Sequence, residues 1–249
     1  MRKALLLILF LPGIQNKAFS QESQEDRFDF KNTIRINVTN PLIFGIKSII
    51  FGYERVLNKK SSFSINVGQA SLPKFNLFDS DSLVYKDVVS EKGFHISADY
   101  RFYLNKINKY EAPRGVYIGP YVSYNYFERK NAWSLTSTGG GQQLVESTTT
   151  LTVSNIGFQM GYQFVFWDRI SLDMILFGPG IASYKLEATL ADNLSEEDRQ
   201  KLFQYLNDAL ADKIPGFDLV IDEGEFGKTG TTNTTSAGFR YMVMVGIRF

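Results

Sequence analysis

The chain has 249 residues, with 27 Lys and Arg against 26 Asp and Glu, one His and no Cys. A net charge of +1 gives no electrostatic footprint for nucleic acid. The lack of thiols excludes disulfides, thiolate metal sites and cysteine nucleophiles, and one histidine excludes a multi-histidine metal centre; no cofactor is implied.

At the amino terminus, Arg2 and Lys3 precede the apolar run Ala4 to Leu11, which Pro12 and Gly13 end. That run is far shorter than the ~20 residues that span a bilayer as a helix. With small residues at Ala18 and Ser20, it reads as a signal peptide, residues 1–20, cleaved after Ser20. Gln21 to Arg27 is polar and charged, and residues 21–31 read as a short periplasmic lead.

From residue 32 onward the dominant hydrophobic period is two, the mark of strands. Phe94, Ile96, Ala98, Tyr100, Phe102 and Leu104 share one face; His95, Ser97, Asp99, Arg101 and Tyr103 share the other. The same alternation recurs around residues 33–38, 49–54, 63–68, 116–126, 155–164, 170–176 and 238–249, which makes eight strands. The predicted fold is therefore all-β: an eight-stranded antiparallel transmembrane β-barrel over residues 32–249. A soluble β-sandwich or lipocalin-like barrel is the alternative, with the apolar face inside.

Connection lengths alternate as a membrane barrel requires. Asn58-Lys59-Lys60, residues 105–115 and Trp167-Asp168 are predicted periplasmic turns. Residues 72–92, 128–150 and 183–236 are predicted long extracellular loops, whereas the connection at 41–45 is short. Within 183–236 one loop helix is expected at about 196–214, capped by Ser195 and carrying Leu202, Phe203, Leu206 and Leu210 at helical spacing.

The terminal Phe249, on an alternating strand, resembles the end that outer-membrane barrel-assembly machinery recognises. Gly52-Tyr53-Glu54-Arg55, Tyr100-Arg101-Phe102-Tyr103-Leu104 and the stretch Ala112 to Tyr121 resemble a family of small outer-membrane barrel proteins of OmpA/OmpX-like architecture. The resemblance covers residues 32–249, accounts poorly for 183–236, and implies location and shape rather than a reaction. The partners it implies are outer-membrane lipid and lipopolysaccharide, the assembly machinery through Phe249, and a protein partner at the external loops.

Parity turns Arg35, Glu54, Asp99, Arg101, Asp173, Arg240 and Arg248 inward, with Gln159 and Gln163. Unpaired charge in so narrow a space is costly, so an ion-pair cluster of Arg35, Glu54, Asp99, Arg101, Asp173 and Arg248 is expected to plug the lumen. The predicted role is structural or loop-mediated interaction, with a narrow solute channel as the alternative. A lipid-A-modifying hydrolase or acyltransferase is a further alternative, because His95 and Ser97 share a strand face. Aromatic girdles are expected from Tyr53, Tyr100, Phe102, Phe164, Trp167 and Phe249 on the periplasmic side, and from Phe94, Tyr124, Tyr126, Phe239 and Tyr241 on the outer side. Gly139-Gly140-Gly141 reads as a hairpin tip. Asp79, Asp81, Asp87 and Glu91 match no calcium-loop spacing.

Overall fold

The computed structural model describes residues 30–71, 83–136, 142–189 and 229–249. These form β1 (Asn32–Asn37), α1 (Thr39–Phe44), β2 (Ile50–Asn58), β3 (Ser61–Gln69), β4 (Leu83–Tyr103), β5 (Gly115–Thr136), β6 (Gln142–Phe166), β7 (Ile170–Phe177), β8 (Pro179–Thr189), β9 (Thr229–Phe239) and β10 (Met242–Arg248). Consecutive strands from β1 to β6 pair antiparallel. The carboxyl-terminal part of β6 pairs with β7 and its amino-terminal part with β8. Likewise β7 pairs with β10 and β8 with β9. So β7 and β8 form one stave broken at Gly178, and β9 and β10 form another broken at Arg240 and Tyr241. β10 closes on β1, from Thr33 opposite Arg248 to Asn37 opposite Met244. The result is a closed antiparallel barrel of eight staves.

Each end of the barrel has its own kind of connection. At the turn end, Trp167 and Asp168 both take positive φ, of 48° and 55°. Two such residues give the hairpin twist that matches paired strands, and the Arg169 N–H donates to the Phe166 carbonyl at 3.1 Å. The Asn58 side chain accepts from the Lys60 N–H at 2.8 Å in the β2–β3 turn. In the longer β4–β5 connection, the Asn108 carboxamide brackets Val116, accepting from its N–H and donating to its carbonyl, both at 2.7 Å. At the other end, the short 41–45 connection lies partly within α1. Asn37 Oδ1 accepts from the Thr39 and Asn40 N–H groups, and Thr39 Oγ1 accepts from the Val243 N–H, which ties the helix to β10.

Toward the turn end, charges and amides point inward and apolar side chains outward. Arg35, Glu54, Arg101 and Asp173 are at most 1% exposed, whereas Ile34, Phe51, Phe158 and Ile247 are 54–69% exposed. A soluble sandwich or lipocalin-like core has the opposite polarity.

The staves extend well past the predicted strand ends. Of the expected loops, residues 83–92, 128–136, 142–150, 183–189 and 229–236 are strand. In this extension the outer face turns polar, and the inner face carries an apolar cluster beside the buried Arg129, Asn131, Ser147 and Thr149. Phe127, Leu151, Val153, Ala182, Tyr184 and Leu186 are buried inside with Ala70. Outside stand Glu128, Lys130, Thr148, Thr150, Thr152, Ser154, Lys185 and Glu187. Period-two alternation continues across the boundary, but the outer face is no longer the apolar one. A pattern followed by its apolar outer face therefore ends near Tyr126 and Ile156, and the rest reads as polar loop. The signal peptide, most of the lead, Gly139-Gly140-Gly141, Asp79, Asp81 and the helix expected at 196–214 lie outside the described residues.

Gly161 faces inward beneath a ring: a Cβ there would stand 2.4 Å from Tyr117 and 2.6 Å from the Met174 carbonyl. Substituting Gly161→Val should destabilise the barrel by about 1–3 kcal/mol through overpacking. The urea midpoint measures this, and an unchanged midpoint would show that the Tyr117 ring can move away.

Candidate functional site

The inward charges meet at the centre of the turn-end half. Arg35, from β1, donates to Asp173 Oδ2 at 2.6 Å and also to Ser64, and stands 3.5 Å from Glu54. Arg101, from β4, reaches three carboxylates: Asp99 at 2.6 Å, Asp173 at 2.8 Å and Glu54 at 3.4 Å. Arg240, between β9 and β10, reaches Asp99 at 3.3 Å. Three guanidinium groups thus face three carboxylates, and the set is formally neutral.

Neutral side chains complete it. Gln163 Nε2 donates to Glu54 at 2.9 Å, while its Oε1 accepts from Tyr103 at 2.7 Å and from Arg101 at 3.3 Å. Ser62 donates to Glu54 at 2.6 Å and Tyr117 to Asp173 at 2.7 Å. The Arg101 guanidinium also lies 4.5 Å from the centre of the Tyr117 ring. All eight staves contribute a side chain, and solvent reaches none of the Arg35, Glu54, Asp99, Arg101 and Asp173 side chains. The network therefore spans the lumen from wall to wall.

Arg248 stands apart from this cluster. Its guanidinium donates to the carbonyls of Asp168 at 3.1 Å and Phe30 at 2.7 Å, bridging the last turn to the start of β1. Gln159 accepts from Arg240 at 3.1 Å. Of the acidic residues weighed for calcium, Glu91 is paired with Arg129 at 2.6 Å and Asp87 is exposed on β4.

His95 and Ser97 do meet. His95 Nδ1 lies 2.7 Å from Asn125 Oδ1, and Nε2 lies 3.0 Å from Ser97 Oγ. With Nδ1–H donating to Asn125, Nε2 accepts the Ser97 proton, which is the orientation a hydroxyl-activating base needs. Strand parity puts Asn125 on the inward face but does not give its contact with His95. Asn125 is a cross-strand partner, placed opposite His95 by the β4–β5 register, and only pairing could reveal that contact. The Ser97 hydroxyl, however, is enclosed: Asn66 Nδ2 donates to it at 3.1 Å and Arg240 at 3.2 Å, and the residue is 2% exposed. An acyl carbon has no approach to that oxygen, so the arrangement serves as a hydrogen-bonded brace.

Neither the family models, nor the curated proteins, nor the solved structures include a match to this chain.

Removing one carboxylate should strand buried guanidinium groups. Asp173→Ala deprives both Arg35 and Arg101 and should destabilise by about 3–5 kcal/mol. Lys59→Ala, which breaks the exposed pair with Glu111, should cost less than about 1 kcal/mol. Chemical unfolding of the two variants side by side checks the contrast; equal losses would mean that the buried pairs contribute no more than surface ones.

Proposed function

We propose that the chain is an exported outer-membrane barrel whose lumen is a structural plug and whose interactions are made by the wall and loops beyond the membrane. The change of the outer face from apolar to polar along the staves carries this reading. Apolar outer faces run from Val116 to Tyr126 on β5 and from Ile156 to Phe166 on β6. Eleven strand residues tilted at about 45° give a band roughly 25 Å tall, the height of the apolar belt on membrane barrels. Above it the outer face turns to Thr, Ser, Lys and Glu, as a surface in water would.

Aromatic side chains sit at both margins of the band. Phe94 lies 5.6 Å from Tyr124 and 5.9 Å from Tyr126 at the upper margin, ring centre to ring centre. Phe166 and the exposed Trp167 are 6.1 Å apart at the lower one. Aromatics at these levels suit the two membrane interfaces. Phe249 is half-exposed at the turn end, where assembly machinery could read it, and this end faces the periplasm in the proposed orientation. Lipopolysaccharide would surround the upper margin. The OmpA/OmpX-like family and the signal peptide cleaved after Ser20 belong to the same proposal.

Met160 is 43% exposed in the middle of the band, and Thr150 stands on the outer face above it. In phospholipid vesicles, Met160→Arg should destabilise by about 2–4 kcal/mol, while Thr150→Arg should stay within about 0.5 kcal/mol of the parent. Equal effects at the two positions would remove the membrane reading. A planar bilayer loaded with the protein should remain silent; stepwise conductance would replace the plug with a channel.

A further inference from the structure

Above the ion pairs, where the outer face of the wall turns polar, the barrel contains a cavity of about 160 Å³. Its floor includes His95, Asn125 and Arg240, and its walls include Phe127, Val153 and Tyr184. The walls belong to the apolar cluster inside the extended staves.

Arg240 is the one formally charged side chain lining this cavity among the described residues. Its terminal nitrogens are held below, by Gln159, Ser97 and Asp99. Its Nε has no hydrogen-bond partner in the protein, although the residue is only 7% exposed. Asp99 lies closer to Arg101, at 2.6 Å, than to Arg240, at 3.3 Å, so Arg240 is the less neutralised of the two cations. Asn125 has its oxygen occupied by His95, which leaves its amide N–H groups as donors. A floor with a cation and spare donors, under apolar walls, suits an anion with a greasy body. The volume is close to the ~150 Å³ that holds a single benzene ring in an apolar protein cavity.

We propose that this cavity binds a small monocarboxylate with an apolar body about the size of a benzene ring, the carboxylate on Arg240 and the body among Phe127, Val153 and Tyr184. His95 borders the ligand and is the single histidine of the chain, so its imidazole reports on the cavity without ambiguity.

The test is a titration of 15N-labelled protein with benzoate, following the imidazole resonances. The folded chain is used in phosphatidylcholine nanodiscs, or in buffer alone should the membrane reading fail, so the two proposals stand or fall separately. Benzoate should shift the His95 signals saturably, with millimolar or tighter affinity. Benzyl alcohol, of like shape but uncharged, should bind about tenfold or more weakly. Arg240→Gln should weaken benzoate by a similar factor, and Val153→Phe, which fills the wall while sparing the ion pairs, should abolish the shift. If Arg240→Gln does not fold, the benzyl alcohol comparison and Val153→Phe decide. Absence of a saturable shift at tens of millimolar benzoate, equal binding of the alcohol, or unaltered binding by Val153→Phe would each overturn the proposal.

Discussion

A closed sheet has two faces, and side chains alternate between them, so whatever one face demands the other must absorb. In the turn-end half of this barrel the outer face is apolar almost without interruption. The acidic and basic groups borne by those strand segments are therefore driven into a lumen only a few side chains wide, except Arg55, which lies exposed near the end of β2 and donates to Asn32. An isolated charge there would be severely penalised. The six central groups avoid this by neutralising one another; Gln163, Tyr117 and Ser62 supply further hydrogen bonds to the carboxylates, and Tyr103 donates to Gln163.

The same constraint fixes register. A slip of one residue in any stave would carry its charges onto the apolar outer surface and its Ile and Phe side chains into the polar lumen. The network need not contribute much net stability to act in this way, since burial of ion pairs roughly offsets their attraction. Its effect is on which pairing is tolerated. Small residues give it room: Gly52 and Gly246 lie against the Arg35 side chain, where a Cβ would stand 3.4 Å and 2.6 Å from its atoms.

Much of this was legible in the sequence. The inward set from Arg35 to Arg240 could be named because strand parity is a local property, readable residue by residue. What parity cannot show is which inward groups touch. Arg248 was expected among the ion pairs, but it caps carbonyls at the barrel end, because the last turn and the first strand present their backbone there. Asn125 has inward parity too, but its role depends on lying across from His95, which parity does not show. The extended staves were read as loops because Thr148, Thr150, Thr152 and Ser154 carry little hydropathy, while their inward neighbours Leu151 and Val153 had been assigned no face. The change of outer face, invisible while only an apolar outer face was sought, leaves an apolar cluster inside the barrel above the ion pairs, beside the buried Arg129 and Asn131. The cavity over Arg240 sits between the ion pairs and this cluster.

Because the chain has no cysteine, single labels can be placed at will. Nitroxides at Phe158→Cys and Thr150→Cys, in separate proteins folded into vesicles, would report collisions with oxygen, which concentrates in lipid, and with a water-soluble nickel chelate. If the band around the turn-end half contacts acyl chains, the label at 158 meets oxygen and is hidden from nickel, while the label at 150 does the reverse. Nickel reaching both labels equally would place the whole outer wall in water and leave the inward charges without the constraint that put them there.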